Sequence, residues 1–252
     1  MNCPKCLHQQ QDSKTTCDAC GIIFEKYYQY HPKVSEVTVS NEPEAELVIC
    51  PSRWQLLKRY LFYDEAKIDS LMLMGRVLVF LFISIWGIRL MMTTIASNAV
   101  GESFMHLINL PFHEFGHILF RPFGQFITSL GGTLGQLLMP LICGGTLLIK
   151  TRDPFGASVA LWWFGENFLD IAPYMNDARA GDLPLVGGNF GHSSPYGFHD
   201  WEYLLTESGL LKYDHILANL SFFIGSVIML VSLVWAGLLL WQQYNSLRAN
   251  DI

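Results

Sequence analysis

His113-Glu114-Phe115-Gly116-His117, set inside the apolar stretch 104–120 (FMHLINLPFHEFGHILF), is the segment on which the reading of this chain turns. Two histidines four residues apart project from one face of a helix, one turn from each other. Neutral imidazoles so spaced can bind a single Zn²⁺, and the glutamate between them is placed to act as general base on water. Two histidines and a carboxylate are costly to bury in hydrocarbon, so a functional role is the default reading. Pro111 fits the first turn of a helix and Asn109 its N-cap, which predicts that the His-Glu pair lies close to the start of a short helix.

The segment is one of a series. A membrane span takes about 20 apolar residues, and stretches of that kind, or nearly so, lie at 75–96, 104–120, 126–149, 155–175 and 216–241. They predict an all-α polytopic membrane domain over 73–245 with about four to five transmembrane or re-entrant helices. The stretch 126–149 contains Gly131, Gly132, Gly135, Pro140, Gly144 and Gly145, which permits either a full crossing or a broken, re-entrant helix. Composition agrees: 51% of residues are hydrophobic and 15% are charged, against about 25% charged in ordinary globular chains. The net charge of -6 argues against nucleic acid as a partner, because phosphate binding needs clustered Lys and Arg.

The N-terminus carries a second signal. Cys3-Pro-Lys-Cys6 and Cys17-Asp-Ala-Cys20-Gly21 each offer two thiolates from one tight turn, and together they make a tetrahedral shell for a structural zinc. A module of residues 1–30 is too small to build a core alone, so metal must supply much of its folding free energy. The pattern predicts a small four-cysteine zinc ribbon, and a protein partner for it is the natural role. The start of the chain has no apolar stretch of the signal-peptide kind, which places the N-terminus in the cytoplasm, where thiols stay reduced. Residues 31–52 read as a linker. Residues 53–72 mix Trp54, Leu57 and Phe62 with Arg53, Lys58 and Arg59, and predict an amphipathic helix lying on the lipid bilayer.

Further polar residues fall within the apolar stretches. Glu166 and Asp170 share a helical face, with Asn167 beside them, and Arg89 in the first span is a candidate counter-charge. A structural ion pair and a functional site are equally good readings of this group. Residues 176–214 form a long polar connection, rich in glycine, that can fold over the metal site as a lid or admit a substrate strand. Within it, His192 reads as an ordinary loop histidine.

Taken together, His113–His117, the stretch Gly131-Gly132-Thr133-Leu134-Gly135-Gln136 ending in Pro140, and Asn167-x-x-Asp170-x-x-Pro173 resemble the site-2 protease family of intramembrane zinc metalloproteases. The resemblance covers roughly residues 104–210. It implies hydrolysis of peptide bonds in or near transmembrane segments, with a membrane-protein or membrane-adjacent peptide as substrate. It implies a catalytic Zn²⁺ on His113 and His117, with Glu114 as the catalytic base. It also implies a third, aspartate ligand from a Leu-Asp-Gly motif opening a late helix. This chain has no Leu-Asp-Gly. Asp200, before the run Trp201–Leu205, matches the form of the motif best and ranks first, followed by Asp177, His199 and Asp170. Each of these, taken alone, reads more readily as a cap or salt-bridge residue than as a ligand, and Asp200 can simply cap the helix over 201–211. The expected protein is therefore an integral membrane protein of the bacterial cytoplasmic membrane, holding one catalytic and one structural zinc. The alternative is a non-catalytic metal-binding adaptor or sensor on the same scaffold.

Overall fold

The computed structural model describes residues 2–6, 8, 9, 11, 14–30, 52–62 and 68–250. Contacts divide the chain into two units, Met1–Cys50 and Pro51–Ile252. Apart from Ser52, the predicted linker lies outside the described residues.

In the first unit, isolated bridges pair Asn2 with Gln9 and Thr16 with Ile23, and each folds a Cys-x-x-Cys turn back on the chain that follows it. The Cys17 N–H donates to Ile22 O and the Gly21 N–H to Cys17 O. Gly21 has φ +69°, the left-handed conformation that a residue with no Cβ adopts without strain. Helix α1 (Phe24–Tyr30) follows. Phe24 packs on Cys3 and Cys17, and these three are the buried apolar cluster among the described residues of this unit. So small a core supports the expectation that a cation between the thiols is needed for folding.

The second unit is helical. Helix α2 (Arg53–Leu61) opens with a capping box between Ser52 and Gln55. It buries none of its own residues and leaves Trp54 72% exposed. It is shorter than the predicted 53–72. Residues 63–67 are outside the described residues, and Asp69 caps a new helix, α3 (Ser70–Met91), through the Met72 N–H. Then come α4 (Phe104–Phe120), α5 (Gln125–Ile149), α6 (Pro154–Asn176), α7 (Asp200–Glu207) and α8 (Asp214–Asn250). Among the described residues, three helical segments are long and apolar enough to cross a membrane: Ser70–Met91, Gln125–Ile149 and Leu211–Ala249. Among the described residues there is no strand, only isolated bridges.

Helix α6 is the centre of the bundle. It packs along α8, against α5 and against α3, while α4 packs along α5. The outer faces of α3 and α8 present Leu78, Phe82, Ile85, Phe223 and Val234, all more than half exposed. A continuous apolar exterior of this kind is what hydrocarbon solvates and water does not.

Two local expectations are corrected. Helix α4 starts at Phe104, capped by Ser103, whose Oγ accepts the His106 N–H. Asn109 is not the cap, Pro111 is not in the first turn, and His113 and His117 lie in the C-terminal half of the helix. The physical reason is that Ser103 offers a cap earlier, and one interior proline removes a single backbone donor while packed neighbours hold the helix on either side. Likewise α5 runs unbroken through its glycines and the buried Pro140, so the re-entrant option for 126–149 falls away.

Candidate metal centre

Helices α4 and α5 approach so closely that only glycine fits where they cross. A Cβ on Gly116 would lie 2.0 Å from Gly131 O, and one on Gly135 would lie 2.3 Å from Phe112 O. At Gly132 a Cβ would meet no backbone first; it would come 2.5 Å from His113 Nε2 and 2.6 Å from His117 Nε2. The glycine stretch thus keeps open the space beside both imidazole nitrogens.

The two rings are held from behind. His117 Nδ1 lies 2.8 Å from Thr128 O, an atom that can only accept, so Nδ1 carries the hydrogen. His113 Nδ1 lies 2.7 Å from Gln136 Oε1, the matching arrangement. In the neutral rings both Nε2 lone pairs then point into the same space. This outer support of a ring's far nitrogen is what fixes the tautomer of a metal-binding histidine.

A third acceptor enters from α7. Asp200 Oδ2 lies 3.2 Å from His113 Nε2 and 3.3 Å from His117 Nε2. Ligands at about 2.0–2.1 Å from a tetrahedral zinc stand roughly 3.3 Å apart, and the two separations from Asp200 Oδ2 to the imidazole nitrogens match that spacing. Glu114 completes the group: one of its carboxylate oxygens and one nitrogen of each histidine all lie within 4.8 Å of each other. All four residues line one cavity of about 680 Å³, together with Tyr174 of α6, Phe198 and the loop segment Leu183–Val186. Room for a substrate therefore adjoins the donors.

Asp200 does not cap its own helix. The cap is His199, whose Nδ1 accepts the Glu202 N–H at 3.2 Å, and this leaves the Asp200 carboxylate free to face the histidines. The other candidates for the third position lie elsewhere. Asp177 accepts the N–H groups of Asp182 and Leu183 and lies 3.4 Å from His199 Nε2. Burial pushes the Asp177 carboxyl up, but the His199 ring beside it and hydrogen bonds from the Leu183 and Asp182 amides outweigh it and hold it below the usual carboxylate range. His199 stacks on Tyr174 with ring centroids 4.2 Å apart. Asp170 pairs with His106 at 2.9 Å. Asp177, His199 and Asp170 are thus engaged with other partners, and it is Asp200 that stands between the two imidazoles.

The buried polar group of α6 is also resolved. Asn109 donates from Nδ2 to both Glu166 Oε2 and Asp170 Oδ2, each at 3.0 Å, and its Oδ1 accepts from Trp163 Nε1 at 2.8 Å. Arg89 is exposed on α3 and is not the counter-charge. A neutral amide and His106 take that place, because they lie on the face of α4 that meets α6.

The loop after α6 forms part of the cavity wall. Pro184 bridges to Phe190, the Leu185 N–H donates to Asn189 O, and His192 Nδ1 meets Gly181 O. His192 is away from the donor set: its ring stacks on Phe190 and lies 3.8 Å from Asp182, and its backbone N–H donates to Gly181 O.

In the first unit, Cys3 Sγ lies 3.6 Å from Cys20 Sγ, and Cys6 Sγ lies 3.6 Å from Cys17 Sγ. Four thiolates at about 2.3 Å from zinc stand roughly 3.8 Å apart, so this donor set also fits the ion. The two clusters, Cys3/Cys6/Cys17/Cys20 and His113/Glu114/His117, could each hold a metal ion.

Tyr174, Gln136, Thr128 and Asn109 were not marked as site residues by the sequence. Gln136 offered the best signal, since it is the polar residue that ends the glycine stretch. A single tyrosine in an apolar helix reads as core.

No protein-family model, curated protein or solved structure matches this chain.

Proposed function

We propose that this chain is a membrane-embedded zinc metalloendopeptidase that hydrolyses peptide bonds in or near transmembrane segments of other proteins. One observation carries the reading: Asp200 Oδ2 lies 3.2–3.3 Å from both His113 Nε2 and His117 Nε2, with Glu114 beside them, on a cavity of about 680 Å³. Three acceptors so placed repel each other unless a cation or proton lies between them, and His113, His117 and Asp200 would supply three protein ligands to a zinc beside the cavity.

Zinc bound at these residues supplies a Lewis acid that acidifies water and polarises a carbonyl group. The two histidines and Asp200 would hold the ion, and Thr128 O and Gln136 keep the rings turned toward that position. Glu114 takes a proton from the attacking water and passes it to the leaving amine. The loop segment Leu183–Val186 and Phe198 wall the cavity, and an extended substrate segment lies between them and α4. The three long apolar helices and the apolar exterior support a membrane location. The basic cluster Arg53, Lys58 and Arg59 and the paired cysteines support an N-terminus on the cytoplasmic side. The four-cysteine unit is a structural zinc ribbon that recruits a protein partner.

A cavity beside the donor set favours catalysis over the adaptor reading, since a purely structural zinc has a closed shell. The test is Glu114→Gln in proteoliposomes containing membrane-protein substrates. Loss of cleavage with zinc retained is expected; undiminished cleavage would remove Glu114 from the reaction and the proposal with it.

A further inference from the structure

Tyr174 is a polar side chain of the cavity that touches the donor set, and the reaction just described leaves it without a task. Its phenol oxygen accepts the Asp200 N–H at 3.0 Å. Its own hydrogen has only a long contact, 3.5 Å to Asp200 Oδ2. The same Oδ2 is the atom that lies 3.2 and 3.3 Å from the two imidazole nitrogens. The phenol is therefore one contact from the metal position, with its oxygen pinned by a backbone amide and its hydrogen weakly committed. The ring cannot swing away, because it stacks on His199 at 4.2 Å and meets the His113 ring edge-on at 6.3 Å. His199 is itself fixed between the Glu202 N–H and Asp177.

We infer that Tyr174 is a catalytic hydrogen-bond donor: its O–H turns from Asp200 Oδ2 to the oxygen of the scissile carbonyl as that oxygen gains negative charge. This deepens, and rests on, the hydrolase reading. The chemistry asks for such a group. Preorganised donors aimed at developing charge are among the largest contributions to acyl-transfer catalysis, and each is worth about 10²–10³ in turnover. Glu114 does not serve, because as the base it must be an acceptor when the water attacks. No proton leaves the phenol, so the step needs no additional acid or base. The turn of the O–H shortens one weak contact and lengthens another, which leaves the Asp200 N–H bond in place.

The competing role is positioning alone, in which the phenol only orients Asp200. The two are separated by a probe that binds zinc through a carbonyl-type oxygen and needs no substrate. Acetohydroxamate binding is followed by the visible spectrum of the full-length protein with cobalt replacing zinc at the histidine site. Tyr174→Phe keeps the stacked ring. The expected result is a metal content equal to the parent's, with acetohydroxamate affinity at least tenfold weaker. A second variant, with 3,5-difluorotyrosine at 174, keeps the oxygen that accepts from Asp200 and strengthens the donor. It should bind acetohydroxamate more tightly than the parent. Unchanged affinity in both, or a loss of metal in Tyr174→Phe together with unchanged affinity in the fluorinated protein, would overturn the inference. In cleavage assays Tyr174→Phe should lower kcat about 100-fold with KM unchanged. Cleavage that survives Glu114→Gln would instead defeat the hydrolase reading, whatever the hydroxamate result shows.

Discussion

Gly132→Ala adds one methyl group in a place where it meets the two imidazoles before anything else. The new carbon would stand 2.5 Å from His113 Nε2 and 2.6 Å from His117 Nε2. Ordinary contact needs roughly 3.5 Å, so each ring must retreat by about 1 Å or the α4–α5 pair must part. The rings cannot retreat freely, because Thr128 O and Gln136 hold their far nitrogens at 2.8 and 2.7 Å. Lost outer support of this sort typically lowers metal affinity 10–100-fold, and displacing two ligands together belongs at the upper end, about 100-fold or about 2.7 kcal/mol. Helix stability should not suffer, since Ala is favoured over Gly inside a helix by up to about 1 kcal/mol. The assay is competitive zinc titration of the detergent-purified protein against a chelator. The parent should bind two zinc ions, and Gly132→Ala should bind one tightly, at the four cysteines, and one about 100-fold more weakly. Gly116→Ala is the contrast, because its Cβ would fall 2.0 Å from a backbone oxygen and should lower the melting temperature instead. If Gly132→Ala bound both ions with parent affinity, the idea that this face of α5 shapes a metal pocket would be wrong.

Other outcomes follow from the same contacts. Asp200→Ala should abolish zinc at the histidine site, whereas Asp177→Asn, which acts only through His199 and the loop amides, should weaken it roughly 10–100-fold in the same titration. Asp177 also makes the loop pH-sensitive. Its carboxyl is depressed in the folded state, so the stabilisation is complete above the ordinary carboxylate value of about 3.9 and is lost as pH falls through the depressed one. Limited proteolysis at residues 183–190 should therefore be slow near neutrality and accelerate only below that value, and Asp177→Asn should remove the dependence. Asn109→Leu strips the shared donor from Glu166 and Asp170 and the acceptor from Trp163, and thermal unfolding should register a loss of about 3 kcal/mol or more. Cys3→Ser should cost the first unit its zinc and its folded amide spectrum while the histidine site keeps its ion.

What could be read in advance was what depends on local spacing. Two cysteines or two histidines within one turn report their shared geometry directly, and apolar runs report helices. Asn109 shows where that logic stops: Asn before Pro looks like a cap, but a serine six residues earlier captured the helix start and left Asn109 to bridge two buried carboxyl groups. Asp200 illustrates a second limit. Its position between His113 and His117 arises because His199 takes over the capping of α7, and no pattern near Asp200 distinguishes that from a capping aspartate. Tyr174 was invisible for a related reason, since its role depends on the backbone amide of a residue in another helix.

X-ray absorption at the zinc edge, on protein with Cys3 and Cys6 replaced by serine, addresses the account at its root. With the sulfur site removed, the remaining zinc should show two imidazole rings and one or more oxygen neighbours at about 2.0–2.1 Å, and Asp200→Ala should eliminate the signal. A preparation in which no zinc remains, or in which the same spectrum persists without Asp200, would contradict it.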